Sequence, residues 1–395
     1  MLPFARMVKY GNVVIPYVPN FTKLVTPSCG YSFTCTMLLD VNGSVWAMGL
    51  QGGGIFGLGH TNQVSEWTKI YSNVKDFWCS TMNAFCLIRT NDDRFFYSGL
   101  DTWLGNNTAN NVTTFTECTS YFTQFGISKI KEIYVGYNYA VILGTDNSLY
   151  VIGDNTGAKF GINTATYYNK FTFVVDNVKK FCSSITSANW VIKLDDTMWR
   201  TGTTNSGTLG DNKQQSYIFP WVQYKGTPVV EAIDIFCSST YIGIITKGTP
   251  ESCPMYTLGF QGNGQLGNNN TSSAYRLNIV LSTTVPDDSE FIRIENTSSR
   301  GLVYYSSGKI YSTGYNNNGQ LANNTTRDSG SFVEAILPAG VNFKKSESLV
   351  AGNDATLYMY INNKLYYAGK SPDNISASSS SVMKEFQLPT INAST

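Results

Sequence analysis

Seven times along the chain, a run of alternating apolar and polar residues enters a tight turn and returns as a second alternating run ending in a small residue and glycine. The runs occupy 35–49, 85–99, 140–153, 190–202, 242–259, 301–314 and 357–369. Their closing glycines are Gly49, Gly99, Gly153, Gly202, Gly259, Gly314 and Gly369, separated by 50, 54, 49, 57, 55 and 55 residues. A period of two, rich in Val, Ile, Tyr, Phe and Trp, describes a half-buried strand. The centres VNG, NDD, TDN, LDD, SSG and INN have hairpin-turn chemistry. The pattern therefore predicts seven β-hairpins and no long amphipathic helix.

A second glycine motif follows most closing glycines: GNGQLG in 262–267, NNGQLA in 317–322, and looser versions in 52–59, 155–161 and 205–210, shortened to TWLG in 102–105. Gly264, Gly267 and Gly319 are expected to supply positive φ in a tight loop, with one Leu or Phe plugging inward. Val at Gly264 or Gly267 should cost at least about 1 kcal/mol. A further strand then carries Pro, aromatics and Val. Units of about 50 residues cannot bury a face alone, whereas a radial arrangement buries each sheet between two neighbours. A sandwich or β-solenoid fits less well, because the units keep near-constant length and seven closes a ring. The predicted fold is all-β, a seven-bladed β-propeller. Residues 1–13 form an arm, 14–370 the propeller, and 371–395 a Ser-rich segment read as mobile plus a C-terminal strand that helps close the ring. VVIPYV in 13–18 and FQLPTI in 386–391 both look like outer strands, so one terminus is expected to complete a blade begun by the other.

The order of strand, turn, small-Gly and N-x-G-Q-L-G resembles the regulator-of-chromosome-condensation (RCC1) repeat family over roughly residues 14–370. A Cys- or Gly-bearing turn before the first hairpin strand also matches, as in SCGYSFT and YVGYNYA. Where the family carries His after that turn, this chain has Phe33, Asn83 and Tyr139, which marks a divergent member. The resemblance implies a guanine-nucleotide exchange or chromatin-binding module.

Charge changes that picture. Only 14% of residues are charged, against about 25% in ordinary soluble proteins, and the net charge is +1. No basic field exists to attract nucleic acid. No apolar stretch is long enough to span a membrane, and the first residues do not read as a signal peptide. Asn-richness accounts for the N-x-S/T triplets at Asn20, Asn106, Asn111, Asn270, Asn296 and Asn324 more simply than glycosylation does.

Candidate chemistry is sparse. His60 is the single histidine, which excludes a multi-His metal site and a His-based triad. Cys29, Cys79, Cys182 and Cys237 fall at the same repeat position, and Cys35, Cys86, Cys118 and Cys253 elsewhere. Equivalent positions in different blades are expected to stand too far apart to bond, so these thiols are read as reduced, unliganded fillers. Asp92–Asp93 and Asp195–Asp196 read as turn residues rather than catalytic pairs. The glycine-rich loops open no helix and so lack the dipole of a phosphate cradle. Loop aromatics Trp67, Trp103, Tyr167 and Tyr168 are candidates for a recognition surface.

With no catalytic residue, cofactor or metal expected, the chain reads as a non-catalytic binding or structural propeller. The low-charge, Asn/Thr/Tyr-rich surface suits a virion component, a bacteriophage tail or capsid appendage in assembly or host recognition. Its partners would then be proteins of a larger assembly or a surface glycan. The exchange-factor or chromatin module is the alternative, and a cytoplasmic location the alternative to the virion. The arm residues Leu2, Phe4, Met7 and Tyr10 lack a core of their own and are expected to dock on a partner.

Overall fold

The computed structural model describes residues 20–390 apart from 28–34, 81–84, 106–109, 163–166, 184–187, 227–230, 250–252, 272–274, 287, 293–299, 342, 345–346, 354 and 374–378; for 275–280 and 300 it describes the backbone alone. Leu2, Phe4, Met7, Tyr10 and Cys29 lie outside the described residues.

Seven antiparallel four-stranded sheets follow one another along the chain. Each predicted hairpin supplies the second and third strands of one sheet. The first strands are Phe21–Val25, Val74–Cys79, Ile130–Val135, Val178–Ser183, Ala232–Cys237, Glu290–Phe291 and Leu349–Gly352, and those of blades 7 and 1, 2 and 3, 4 and 5, and 5 and 6 touch. The fourth strands, from Val64–Tyr71 to Ser379–Phe386, form the rim. Among the described residues the one α-helix is the short Thr119–Phe125. The chain is a seven-bladed β-propeller, as its repeats predict.

The core lies between blades. Second strands such as Cys35–Asp40, Tyr139–Gly144 and Thr356–Ile361 are buried along their whole length, because each is covered by a sheet on either side. Met37, Leu39, Phe77 and Ile88 pack in one such layer between blades 1 and 2. Burying a side chain of this size contributes roughly 1.5–3 kcal/mol.

Ring closure differs from the expectation. Every sheet is built from four successive strands, so no described blade mixes strands from the two ends. The outer strand of blade 7 is Ser379–Phe386, which includes the end of the Ser-rich run, rather than 386–391. Blade 1 meets blade 7 through side chains instead: Phe21, Leu38, Tyr358, Tyr360 and Leu388 pack together, the Phe21 N–H donates to Tyr360 Oη (3.2 Å), and Trp67 Nε1 donates to the Gln387 carbonyl (2.9 Å). Serine is a poor strand former, but the small residues have a use here. A Cβ on Gly319 would lie 2.4 Å from the Ser381 Cα.

That contact recurs. Loop glycines of blades 1, 2, 3 and 5 likewise abut the outer strand of the next blade, Gly54 at Thr113, Gly105 at Tyr168 and Gly161 at Trp221, and a Cβ on Gly264 would lie 2.5 Å from the Ser329 carbonyl oxygen. Alongside it, the Asn269 N–H donates to the Gly330 carbonyl and the Asn324 N–H to the Ser381 carbonyl, both at 2.8 Å. The glycines thus serve two needs at once, a φ of 80° at Gly264 and 83° at Gly319 and close approach of two backbones. Gly267 has φ 63°, and the closing glycines Gly49, Gly99, Gly153, Gly202, Gly259, Gly314 and Gly369 lie between 96° and 110°.

Candidate functional site: the long-loop face and the channel wall

Strand alternation places the loops after first and third strands at one end of every sheet, and the short hairpin turns at the other. The two faces differ in chemistry. On the turn face, charges are already paired. Asp93 meets Arg89 at 2.7 Å and Lys75 at 3.1 Å; Asp196 meets Lys179 at 2.6 Å and also Lys247. Hydrogen bonds from Lys75, and then Arg89, hold the Asp93 carboxyl below its usual range, and those from Lys179 and Lys247 do the same for Asp196. Both residues are left-handed, with φ 61° and 62°. The structure therefore places Asp93 and Asp196 as turn residues whose charge is met by cations, while Asp195 accepts from the Thr197 N–H and hydroxyl.

The long-loop face carries fewer charges: 50–63 and 261–274 contain no Asp, Glu, Lys or Arg, and the other loops after third strands carry Asp101, Asp154, Lys159, Asp211, Lys213, Arg327, Asp328 and Asp373. Its loops are held from within. Two residues after each closing glycine stands a buried polar residue, among them Gln51, Asp101, Asn155, Thr204, Gln261 and Asn316. In blades 1, 3 and 6 its side-chain oxygen accepts the backbone N–H of the plug residue: Phe56 N to Gln51 and Phe160 N to Asn155 at 3.1 Å, Leu321 N to Asn316 at 2.9 Å. The plugs Phe56, Trp103, Phe160, Leu209, Leu266 and Leu321 are at most 1% exposed. The polar residue at that fixed offset is visible in the chain, but its type varies among Gln, Asp, Asn, Thr and Ser, so it lacks the constancy of the glycine. Trp103 is corrected by the same observation. It stacks on Phe85 at 5.1 Å as a plug and, fully buried, offers no recognition surface. Trp67, Tyr167 and Tyr168 are half-buried. His60 sits on the exposed end of this face, its Nδ1 accepting the Asn62 N–H at 3.2 Å.

Blade 3 adds a charge pair where blades 5 and 6 carry Gln265 and Gln320. Lys159 replaces the Gln of the loop and meets Asp154 at 2.6 Å, both side chains under one-tenth exposed. Burial pushes the Asp154 carboxyl up, but the Lys159 ammonium outweighs it and the group titrates below its usual range. Burial pushes the Lys159 ammonium down against the pull of Asp154.

On the channel wall, register reveals a ring. The first-strand residue opposite the penultimate residue of the second strand is Lys23, Asp76, Glu132, Lys180, Asp234, Glu290 and Leu349 in blade order. Lys-Asp-Glu thus occurs twice, and each Lys pairs with the Asp of the following blade: Lys23–Asp76 at 2.6 Å and Lys180–Asp234 at 2.5 Å. Beside the first pair a cavity of about 150 Å³ is lined by Lys23, Val25, Thr26, Trp78, Cys79 and Val135 with their neighbours.

The cysteines are corrected here. Cys182 and Cys237 form a disulfide, with Cα atoms 5.6 Å apart. They are not equivalent after all. Cys237 lies opposite Ile242, four residues before the end of its second strand, as Cys79 lies opposite Cys86. Cys182 lies opposite Trp190, three residues before the end. One residue reverses the face a strand side chain takes. Cys79 reaches back to Met37 of blade 1, its Sγ 3.2 Å from Sδ. Tyr134, at the register of Cys182, reaches forward to Phe181 of blade 4, with rings 5.6 Å apart. Cys182 therefore points forward, Cys237 back, and they meet. Cys35, Cys79, Cys86, Cys118 and Cys253 are buried thiols. Among the described residues, no three His, Cys, Asp or Glu side chains are grouped to hold a metal ion.

Seven contiguous four-stranded blades, with the glycine-bearing long loops of blades 1, 2, 3, 5 and 6 packed on the next, define a seven-bladed propeller whose fold is like that of RCC1-type structures. Solved structures agree in fold. Human WBSCR16 superposes with a TM-score of 0.62 at 16% identity, covering 85% of each chain. Yeast RCC1 (Prp20), in a crystal structure with Kap60, gives 0.66 at 12% identity over 98% of this chain and 90% of that one. Prp20p of Saccharomyces cerevisiae, described with its binding to Gsp1p and histones, gives 0.60 at 13% over 83% and 80%. No protein-family model matches the chain, and no curated protein is similar to it in sequence.

Proposed function

We propose that the chain is a protein-binding propeller of the RCC1 type that docks its partner on the long-loop face and catalyses no bond chemistry of its own. The observation that carries this reading is the contrast between the faces. Long loops pinned by buried side chains present Asn, Thr, Ser and Gly in fixed positions, which lowers the ordering cost of binding. Charges are few and scattered there, Lys213 and Arg327 among the exposed ones, so contacts would be mainly polar and short-ranged rather than steered. The structural neighbours favour an exchange-factor or chromatin-type role, since Prp20p is described with binding to Gsp1p and histones. With a net charge of +1, a GTPase is the better first partner than nucleosomal DNA. A place on a virus particle and a surface-glycan partner rest on composition alone.

The test uses a small GTPase of the Gsp1p class loaded with fluorescent GDP, and mononucleosomes as a second probe. Arg at the exposed long-loop residues Thr61 and Thr326 should weaken binding about tenfold, roughly 1.4 kcal/mol. Arg at Val41 and Leu194, exposed on the turn face, should leave it unchanged. Binding to neither probe, or sensitivity confined to the turn face, would overturn the reading.

A further inference from the structure

We propose that Cys182 and Cys237 form a thiol–disulfide exchange site on the channel wall, through which a small thiol such as glutathione opens and recloses the seam between blades 4 and 5. Three observations meet at this pair. Both residues are half-buried, whereas Cys35, Cys79, Cys86, Cys118 and Cys253 are at most 3% exposed. Exchange needs access to sulfur, so reactivity concentrates here. Burial also pushes the Cys118 thiol up, away from the reactive thiolate.

The second observation is what remains when the bond opens. Lys180 and Asp234 still join the same two strands at 2.5 Å. Asp234 also accepts the Phe291 N–H of blade 6 at 2.9 Å. These ties keep the opened thiols close, so reclosure is intramolecular and fast relative to pairing with another chain. The third is what the bond holds. Cys237 leads directly into a short turn in which Ser238 Oγ accepts the Thr240 and Tyr241 N–H groups, at 3.2 and 3.0 Å. The Thr240 carbonyl then accepts the Phe260 N–H at 2.8 Å, at the root of the long loop of blade 5.

The step balances. A glutathione thiolate attacks one sulfur, the protein S–S bond breaks, and the other cysteine leaves as a thiolate that takes up a proton. A second glutathione attacks the mixed disulfide, releasing the remaining cysteine and glutathione disulfide. Two electrons pass from two glutathiones to the protein, and the reverse sequence reoxidises it.

The experiment equilibrates the native protein in buffers of graded reduced-to-oxidised glutathione, quenches with an alkylating reagent, and reads cysteine peptides and amide exchange by mass spectrometry. Cys182 and Cys237 should convert together and reversibly while the buried thiols stay unlabelled. Amide exchange over 232–246 and 253–260 should rise on reduction. For a closed loop of this length, melting should fall by about 5 °C. The Cys182→Ser/Cys237→Ser variant should melt like the reduced protein and lose its redox response; if it does not fold, the wild-type titration decides alone. Labelling of both cysteines in excess glutathione disulfide would overturn the proposal. So would a bond that survives excess reduced glutathione until the protein unfolds. Neither outcome depends on whether the long-loop face binds a partner.

Discussion

The junctions between blades 1 and 2 and between blades 4 and 5 are built alike and joined differently. Each has a Lys–Asp pair at the same register, Lys23–Asp76 and Lys180–Asp234. Val25 and Cys182 share one position on the strand that faces forward, opposite Met37 and Trp190. Cys79 and Cys237 share one position on the strand that faces back. The geometry for a cross-link is therefore present at both junctions, and a single side chain separates them. At the first, the back-facing thiol finds Met37; at the second, it finds another thiol. The ion pairs differ as well. Asp76 is 39% exposed and, besides Lys23, takes its neighbour Phe77 N–H, whereas Asp234 is 11% exposed and engages blades 4, 5 and 6.

The largest expected effect comes from cutting the covalent junction. Cys182→Ser in oxidised protein should cost about 4 kcal/mol, the loop-closure entropy of a bridge across 55 residues, measured by denaturant unfolding against wild type. An unchanged midpoint would mean the bond constrains nothing. At the junction between blades 5 and 6, Asp234 accepts the Phe291 N–H and the Gly264 loop presses on the outer strand of blade 6. Gly264→Val there should cost about 3 kcal/mol, from a β-branched residue at positive φ and overpacking against Ser329. A variant melting with the wild type would show that the loop yields.

Val25→Cys sharpens the comparison from the other side. It should pair with Cys79 under mild oxidant, lower the intact mass by two hydrogens and add about 2 kcal/mol, less than the full entropic value because Val25 loses packing. Absence of the bridge would break the claimed equivalence of the two junctions. The smallest pair of effects concerns the carboxylates. Asp234→Ala should cost about 2 kcal/mol, since it strips a nearly buried charge-assisted network. Asp76→Ala should cost under about 1 kcal/mol, as for an exposed pair. Equal losses would show that the extra bond to blade 6 carries no weight.

The number of blades, the hairpins and the plugs were legible in the chain because they depend on local periodicity and turn chemistry. Strand alternation, an αL residue at Asp93 or Asp196, and a glycine every 50-odd residues each act within one unit. A repeat shows its own interior well. The loop glycines were legible for half their reason: the left-handed φ at Gly264 follows from the turn, but the carbonyl of Ser329 pressing on it belongs to the next blade.

What lies between units was decided by the tertiary structure alone. Whether Cys182 faces forward or back depends on which second-strand residue it lies opposite, Trp190, one place nearer the strand's end than the partner of Cys237, and no spacing of cysteines reports it. The repeated Lys-Asp-Glu of the channel wall emerges only when Lys23, Asp76, Glu132, Lys180, Asp234 and Glu290 are brought to one level by pairing with their second strands. Trp103 reads in the chain as a surface aromatic and is fully buried in the fold. Closure of the ring by Phe21, Tyr360 and Leu388 joins residues more than 300 apart, where side-chain packing, rather than any shared strand, holds the ends together. Local sequence sets what each blade is; the few ångströms between neighbouring backbones set which of its side chains meet.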